Sequence, residues 1–71
     1  MQLLRQKVVG ERRVSLVEYD GWFAVHIEVR GPEGWTDISL GVDRDLAFEV
    51  ASRRYRRRLD EQQARTIEWG A

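Results

Sequence analysis

The chain has 71 residues, a single His, no Cys, and 12 basic against 12 acidic side chains, for a formal net charge of zero. That excludes a disulfide framework, a thiolate metal site and a zinc site built on one His, and it lacks the basic excess common in nucleic-acid modules. A chain this short supports one domain with a marginal core, so stability has to come from packing or from a second copy.

Residues 1–10 carry Leu3, Leu4, Val8 and Val9 and read as a first strand or as an extension of the next one. Arg5 and Lys7 interrupt this apolar patch, so it does not read as a signal peptide. No apolar run approaches the roughly 20 residues that span a bilayer, and the expectation is a soluble cytoplasmic protein. Gly10-Glu11 reads as a break or bulge. Arg12–Tyr19 reads as a strand with Val14 and Leu16 on one face and Val17 and Tyr19 on the other, so its buried side is left open.

Asp20-Gly21 is a hairpin signal, because both residues tolerate the positive φ of a tight turn. Gly21–Arg30 is the strongest strand in the chain. Phe23, Val25, Ile27 and Val29 alternate with Trp22, Ala24, His26 and Glu28, which places an apolar row on one face and a mixed row on the other. That pattern fits an antiparallel sheet with one covered and one wet face. Gly31-Pro32-Glu33-Gly34 is a turn. Trp35–Val42 reads as the third strand, with Ile38 and Leu40 joining the buried row.

A helix is expected from about Asp45 to about Thr66, capped by Asp43 or Asp45 and stopped by Gly70. At 100° per residue Phe48, Ala51, Tyr55, Leu59, Gln62 and Thr66 form one stripe, which is taken as the face laid on the sheet. Residues 67–71, with Ile67 and Trp69, read as a tail. The resulting fold class is α+β, a three-stranded antiparallel meander with one long helix packed on one face.

Four features could carry function. Arg53, Arg54, Arg56, Arg57 and Arg58 form a dense guanidinium cluster. It either binds phosphate, with Arg53, Arg54, Arg57 and Arg58 as nucleic-acid contacts, or is the solvated half of an amphipathic helix, where Glu49, Asp60 and Glu61 are spaced to pair with it. The open sheet face would display Trp22, His26, Glu28, Trp35, Asp37 and Ser39. Two Trp on a wet face can stack bases or anchor a protein interface; the alternative is a segment folded over them. Leu46 and Val50 are either an exposed apolar pair or the rim of the core. His26 beside Glu28 and Asp37 could serve as a base or a pH-sensitive group. However, a flat sheet face offers it no pocket, and the sequence has no phosphate-binding Gly loop or metal signature.

The Gly21–Arg30 strand, the Ile38-Ser39-Leu40-Gly41 strand end and the Asp43, Ala47, Ala51, Tyr55 spacing resemble the DNA-binding domain of plant ethylene-response factors. They also resemble the N-terminal arm-binding domains of integrases. The resemblance covers most of Arg12–Leu59 and implies three strands followed by a helix. In that family the open sheet face enters the major groove through Arg and Trp. Here the matching outward positions are His26, Glu28, Asp37 and Ser39, whose carboxylates repel phosphate, so DNA reading does not carry over. The signature of WGR-type domains is absent, because Thr36 and Asp37 follow Trp35.

The expectation is therefore a non-enzymatic binding or regulatory module without cofactor. It would act through protein contact, as a homodimer or with another protein, with Trp22, His26 and Trp35 at the interface. Nucleic-acid binding by the Arg-rich helix is the alternative.

Overall fold

Three tight turns lay down the sheet. The computed structural model describes residues 1–70, with side chains through Arg65. Strands β1 (Gln2–Val9), β2 (Arg12–Tyr19), β3 (Trp22–Gly31) and β4 (Gly34–Asp37) are followed by one helix, α1 (Phe48–Gly70). The strands form a single antiparallel meander in the order β1-β2-β3-β4. Asp20 and Gly21 take φ of 46° and 86°, the paired left-handed conformation that matches strand twist in a two-residue hairpin. That turn sets Tyr19 opposite Trp22 and carries an unbroken register back to Arg12 opposite Val29.

The sheet has four strands, not three. Residues 1–10 are not an extension of β2. Gly10 adopts φ 61° and reverses the chain, so β1 pairs along β2, with one irregularity between Leu3 and Arg5.

The third predicted strand is also corrected. The strand ends at Asp37, with one further backbone bond from the Ile38 amide to the Ile27 carbonyl at 2.8 Å, and the expected burial of Ile38 and Leu40 fails: they are 37% and 91% exposed. The cause is local. The Asp37 carboxylate accepts bonds from the Ser39 amide and hydroxyl, a side-chain turn that competes with strand pairing. Leu40 and Gly41 then take φ of 57° and 70°, and the Val42 amide donates to the Ser39 carbonyl at 3.2 Å. After this loop the chain returns to the edge of β3. The Asp43 carbonyl accepts from the Val25 amide at 2.8 Å, and Leu46 and Phe23 exchange both backbone bonds at 2.9 Å.

α1 begins at Phe48, with the Ala47 carbonyl accepting from the Ala51 amide. Neither Asp43 nor Asp45 is seen capping it; the Asp43 carboxylate is engaged by arginines of the helix. The expected stripe is correct where it meets the sheet. Ala51, Tyr55 and Gln62 are buried, Leu59 is half-buried, and Phe48 lies at the rim in edge contact with Phe23. Thr66, Ile67 and Trp69 lie outside the described side chains. The core consists of Val14, Leu16, Val25, Ala51 and Tyr55, with Leu4, Phe23, Leu46 and Leu59 around it. Leu46 and the half-buried Val50 are therefore rim residues and not an exposed pair. The Arg12 guanidinium donates to the Gln62 side-chain oxygen at 3.2 Å and ties the start of β2 to the later turns of α1.

Two substitutions probe this arrangement, the second of which separates it from a continuous third strand. Leu16→Ala, in the core, is expected to cost about 3 kcal/mol, most of what so small a domain has. Leu40→Asn should stabilise by about 0.5 kcal/mol, because the left-handed conformation disfavours Leu and suits Asn. Denaturant midpoints of the two variants check both.

Candidate functional site

α1 covers one face of the sheet. On the other face the register brings Leu3, Gln6 and Val8 from β1, Arg13, Ser15, Val17 and Tyr19 from β2, and the even-numbered side chains of β3 together. Trp35 and Asp37 of β4 stand opposite Arg30 and Glu28. The expected open-face set is thus assembled, with Ser39 just beyond it in the loop.

Most polar groups here satisfy one another. Arg13 forks onto Glu28 through Nε and Nη2 at 2.8 and 3.1 Å, and this bond holds the guanidinium above its ordinary pKa against the opposing effect of burial. Ser15, buried beneath them, donates to Glu28 at 3.4 Å and accepts from the Gln6 amide at 3.0 Å. The Trp35 ring lies under two guanidiniums, with the carbons of Arg13 and Arg30 at 4.4 and 5.0 Å from its centroid, a cation–π arrangement that consumes its surface.

The other end of the face is different. Tyr19 and Trp22 are 41% and 56% exposed and stand at the rim of a cleft of about 420 Å3 that also includes Ala24, His26, Asp37 and Arg44. Within it a polar chain runs from Tyr19 to Ser39. The Tyr19 hydroxyl is 3.1 Å from His26 Nε2. His26 Nδ1 is 2.9 Å from Asp37 Oδ2, an approach not aligned as a hydrogen bond. Burial pushes the Asp37 carboxyl up, but the Ser39 hydroxyl and amide, with His26, outweigh it and hold the group below its usual range. The chain can relay polarity between a tyrosine and a carboxylate. A second cleft of about 350 Å3, with Met1, Leu3 and Val17 in its walls, shares Tyr19, His26 and Asp37 with the first.

Trp22 and Trp35 therefore do not form one site. Eight strand positions separate Trp22 from Arg30, which faces Trp35, a distance of about 26 Å. Among the expected nucleic-acid contacts, Arg54 and Arg58 are engaged. Arg54 Nη1 and Arg58 Nε reach the two carboxylate oxygens of Asp43 at 2.8 and 2.7 Å, and Arg58 also holds Glu61 at 2.9 Å. Arg53 and Arg57 are exposed. Burial raises the Asp43 carboxyl, but Arg58 and Arg54 overcome it and bring the group below its ordinary value.

Sequence reasoning missed Tyr19 as a member of the site and Asp43 as an anchor. Tyr19 could have been found: a two-residue turn at Asp20-Gly21 forces Tyr19 opposite Trp22 and, counting back, Ser15 opposite His26 and Arg13 opposite Glu28. Asp43 had no local signal, because its partners lie 11 and 15 residues away.

No protein-family model, curated protein or solved structure matches the chain. Among the described residues no helix is long and apolar enough to cross a membrane. None of their His, Cys, Asp and Glu side chains form a group of three or more that could hold a metal ion.

The Asp43 anchor makes the fold acid-sensitive in a defined direction. A carboxyl with a lowered native pKa contributes stability above its unfolded value, here 3.8, and that contribution is lost as pH falls through the native value. Asp43→Asn is expected to cost about 2 kcal/mol at neutral pH, less than the roughly 3–5 kcal/mol of a fully buried pair, because Arg54 is 40% exposed. The variant should also lose less stability than the parent below pH 4, as read by denaturant melts across pH.

Proposed function

We propose that this protein is a small binding module that acts through the open face of its sheet, and that its partner on that face is a second copy of the chain. The observation that carries the reading is the pair Tyr19 and Trp22. Both are large, amphipathic and exposed, and both are held on a rigid two-residue hairpin above the buried Val17 and Ala24. Such aromatics on a fixed backbone supply contact area at low entropic cost and are the usual anchors of interfaces.

Charge favours a self-partner. Arg13 is matched by Glu28 within the face, and the charges of Arg30 and Asp37 are of opposite sign, which leaves little net charge to select an acidic or basic partner. A copy of the same face meets that neutrality. Size argues for a reversible pair. Four strands at about 4.8 Å spacing and about 26 Å length give roughly 1,000 Å2 of total buried surface, below the standard range for stable complexes. The expected state is a monomer–dimer equilibrium that responds to concentration in the micromolar range. Trp22 anchors this contact at the hairpin end of the face, with His26, in the polar chain, and Trp35, under its two guanidiniums, further along it.

Sedimentation equilibrium across concentration tests the proposal. Trp22→Ala should weaken association about 30-fold, the effect of a hot spot worth about 2 kcal/mol, while circular dichroism stays that of the parent. An unchanged dimer constant in a folded Trp22→Ala protein would overturn it.

A further inference from the structure

The opposite side of the sheet holds a second concave surface, and unlike the charge-matched open face it is cationic. α1 lies mainly over β2 and β3 and leaves β1 partly uncovered. Between α1 and β1 runs a groove of about 450 Å3. Its apolar walls are Leu16, Leu59 and Phe48, the last half-exposed, and its rim carries Arg5, Arg53 and Arg56. No carboxylate lines it. None of the three arginines makes an ion pair among the described residues. In a chain with zero net charge, three guanidiniums without an ion-pair partner among the described residues, around an apolar floor, are a local excess of positive charge.

The groove is bounded by a free sheet edge. β1 has β2 on one side and no strand on the other, so one row of its backbone groups is available to an incoming chain. Beyond the irregularity at Leu3 and Arg5 the pairing with β2 is regular. Arg5 and Lys7 stand opposite Leu16 and Val14, which puts both cationic side chains on the helix side, beside the groove.

We propose that this edge and groove receive an extended acidic segment of a partner protein. The segment adds to β1 as a fifth strand, with alternate carboxylates facing Arg5, Lys7, Arg53 and Arg56 and the intervening apolar side chains on the opposite face, beside the exposed Leu3 and Val8. Strand addition supplies main-chain hydrogen bonds, and alternate side chains supply selectivity. Opposite charges across neighbouring strands add to it. A second copy is a poor occupant, because antiparallel pairing of β1 with itself sets Arg5 and Lys7 against the same cations. Nucleic acid is a poorer match than peptide, because a phosphate backbone has no main-chain N–H and C=O ladder to pair with the free edge of β1. This surface lies on the opposite side of the sheet from Trp22, so the proposal stands apart from the dimer.

The test uses an eight-residue peptide of alternating valine and glutamate, its lysine-for-glutamate counterpart, and a mixed-sequence DNA duplex. Binding is followed by amide chemical shifts of the full chain. The expected result is that the glutamate peptide shifts amides of Gln2–Val9 and of residues 48–59, and leaves those around Trp22 and His26 in place. Combined Arg5→Glu, Arg53→Glu and Arg56→Glu should weaken the glutamate peptide at least about 10-fold and create binding of the lysine peptide. All three sites are exposed, and the variant is first shown to be folded by its amide spectrum. Absence of shifts at millimolar glutamate peptide, shifts confined to the open face, or equal binding of the duplex at this groove would each overturn the proposal.

Discussion

The buried carboxylate of Asp43 is the contact on which the rest of the arrangement depends. Its two oxygens are held by Arg54 and Arg58, successive residues of one helical stripe, while its backbone carbonyl takes the Val25 amide on the edge of β3. One residue thus joins the loop, the sheet edge and the helix. With Arg54 and Arg58 turned toward Asp43, Ala51 and Tyr55 face the sheet and Arg53 and Arg56 face outward. The Arg12 to Gln62 bond sets the same rotation further along α1. A buried carboxylate is costly unless it is fully satisfied, and here two guanidiniums satisfy it, so the loop has little freedom to take another path.

That rotation divides the molecule into two surfaces of different chemistry. On the open face the ionic groups are matched within the strands, and what remains for a partner is aromatic. Between α1 and β1, Arg5, Arg53 and Arg56 stand over an apolar groove. The arginine cluster is therefore neither wholly a binding patch nor wholly a solvated surface. Arg54 and Arg58 are structural, and Arg53 and Arg56 are left free of ion pairs among the described residues. The same composition, with formal net charge zero, hides this separation.

Much of the fold was legible in the sequence because its signals are local. Asp20-Gly21 and Gly31-Pro32-Glu33-Gly34 dictate turns through their own φ preferences, and the alternation from Phe23 to Val29 states which side of β3 is covered. The helical stripe from Ala51 to Gln62 was readable from its period. Two errors had local causes as well. Gly10 was a turn that looked like a bulge, because the strand before it is interrupted by Arg5 and Lys7. The end of β4 was overrun, because Ile38, Leu40 and Val42 keep the strand period through a loop; the Asp37 and Ser39 side chains, which break it, were the available warning. The open-face residues were foreseen as a set, but their division into a guanidinium-covered Trp35 and a bare Trp22 was not.

By itself the sequence determined the class of the fold, the central hairpin, the covered face of β3 and the buried stripe of α1. Each of these follows from backbone preference or from periodicity within one element. Only the tertiary structure decided which charges are neutralised, where the loop after β4 rejoins the sheet, and which aromatic stays exposed. Those outcomes depend on pairs such as Asp43 with Arg58 and Arg13 with Trp35, whose members are far apart in the chain and meet only when separate elements pack. No local pattern encodes such a meeting, because its energy exists only at the distance that the packed elements impose.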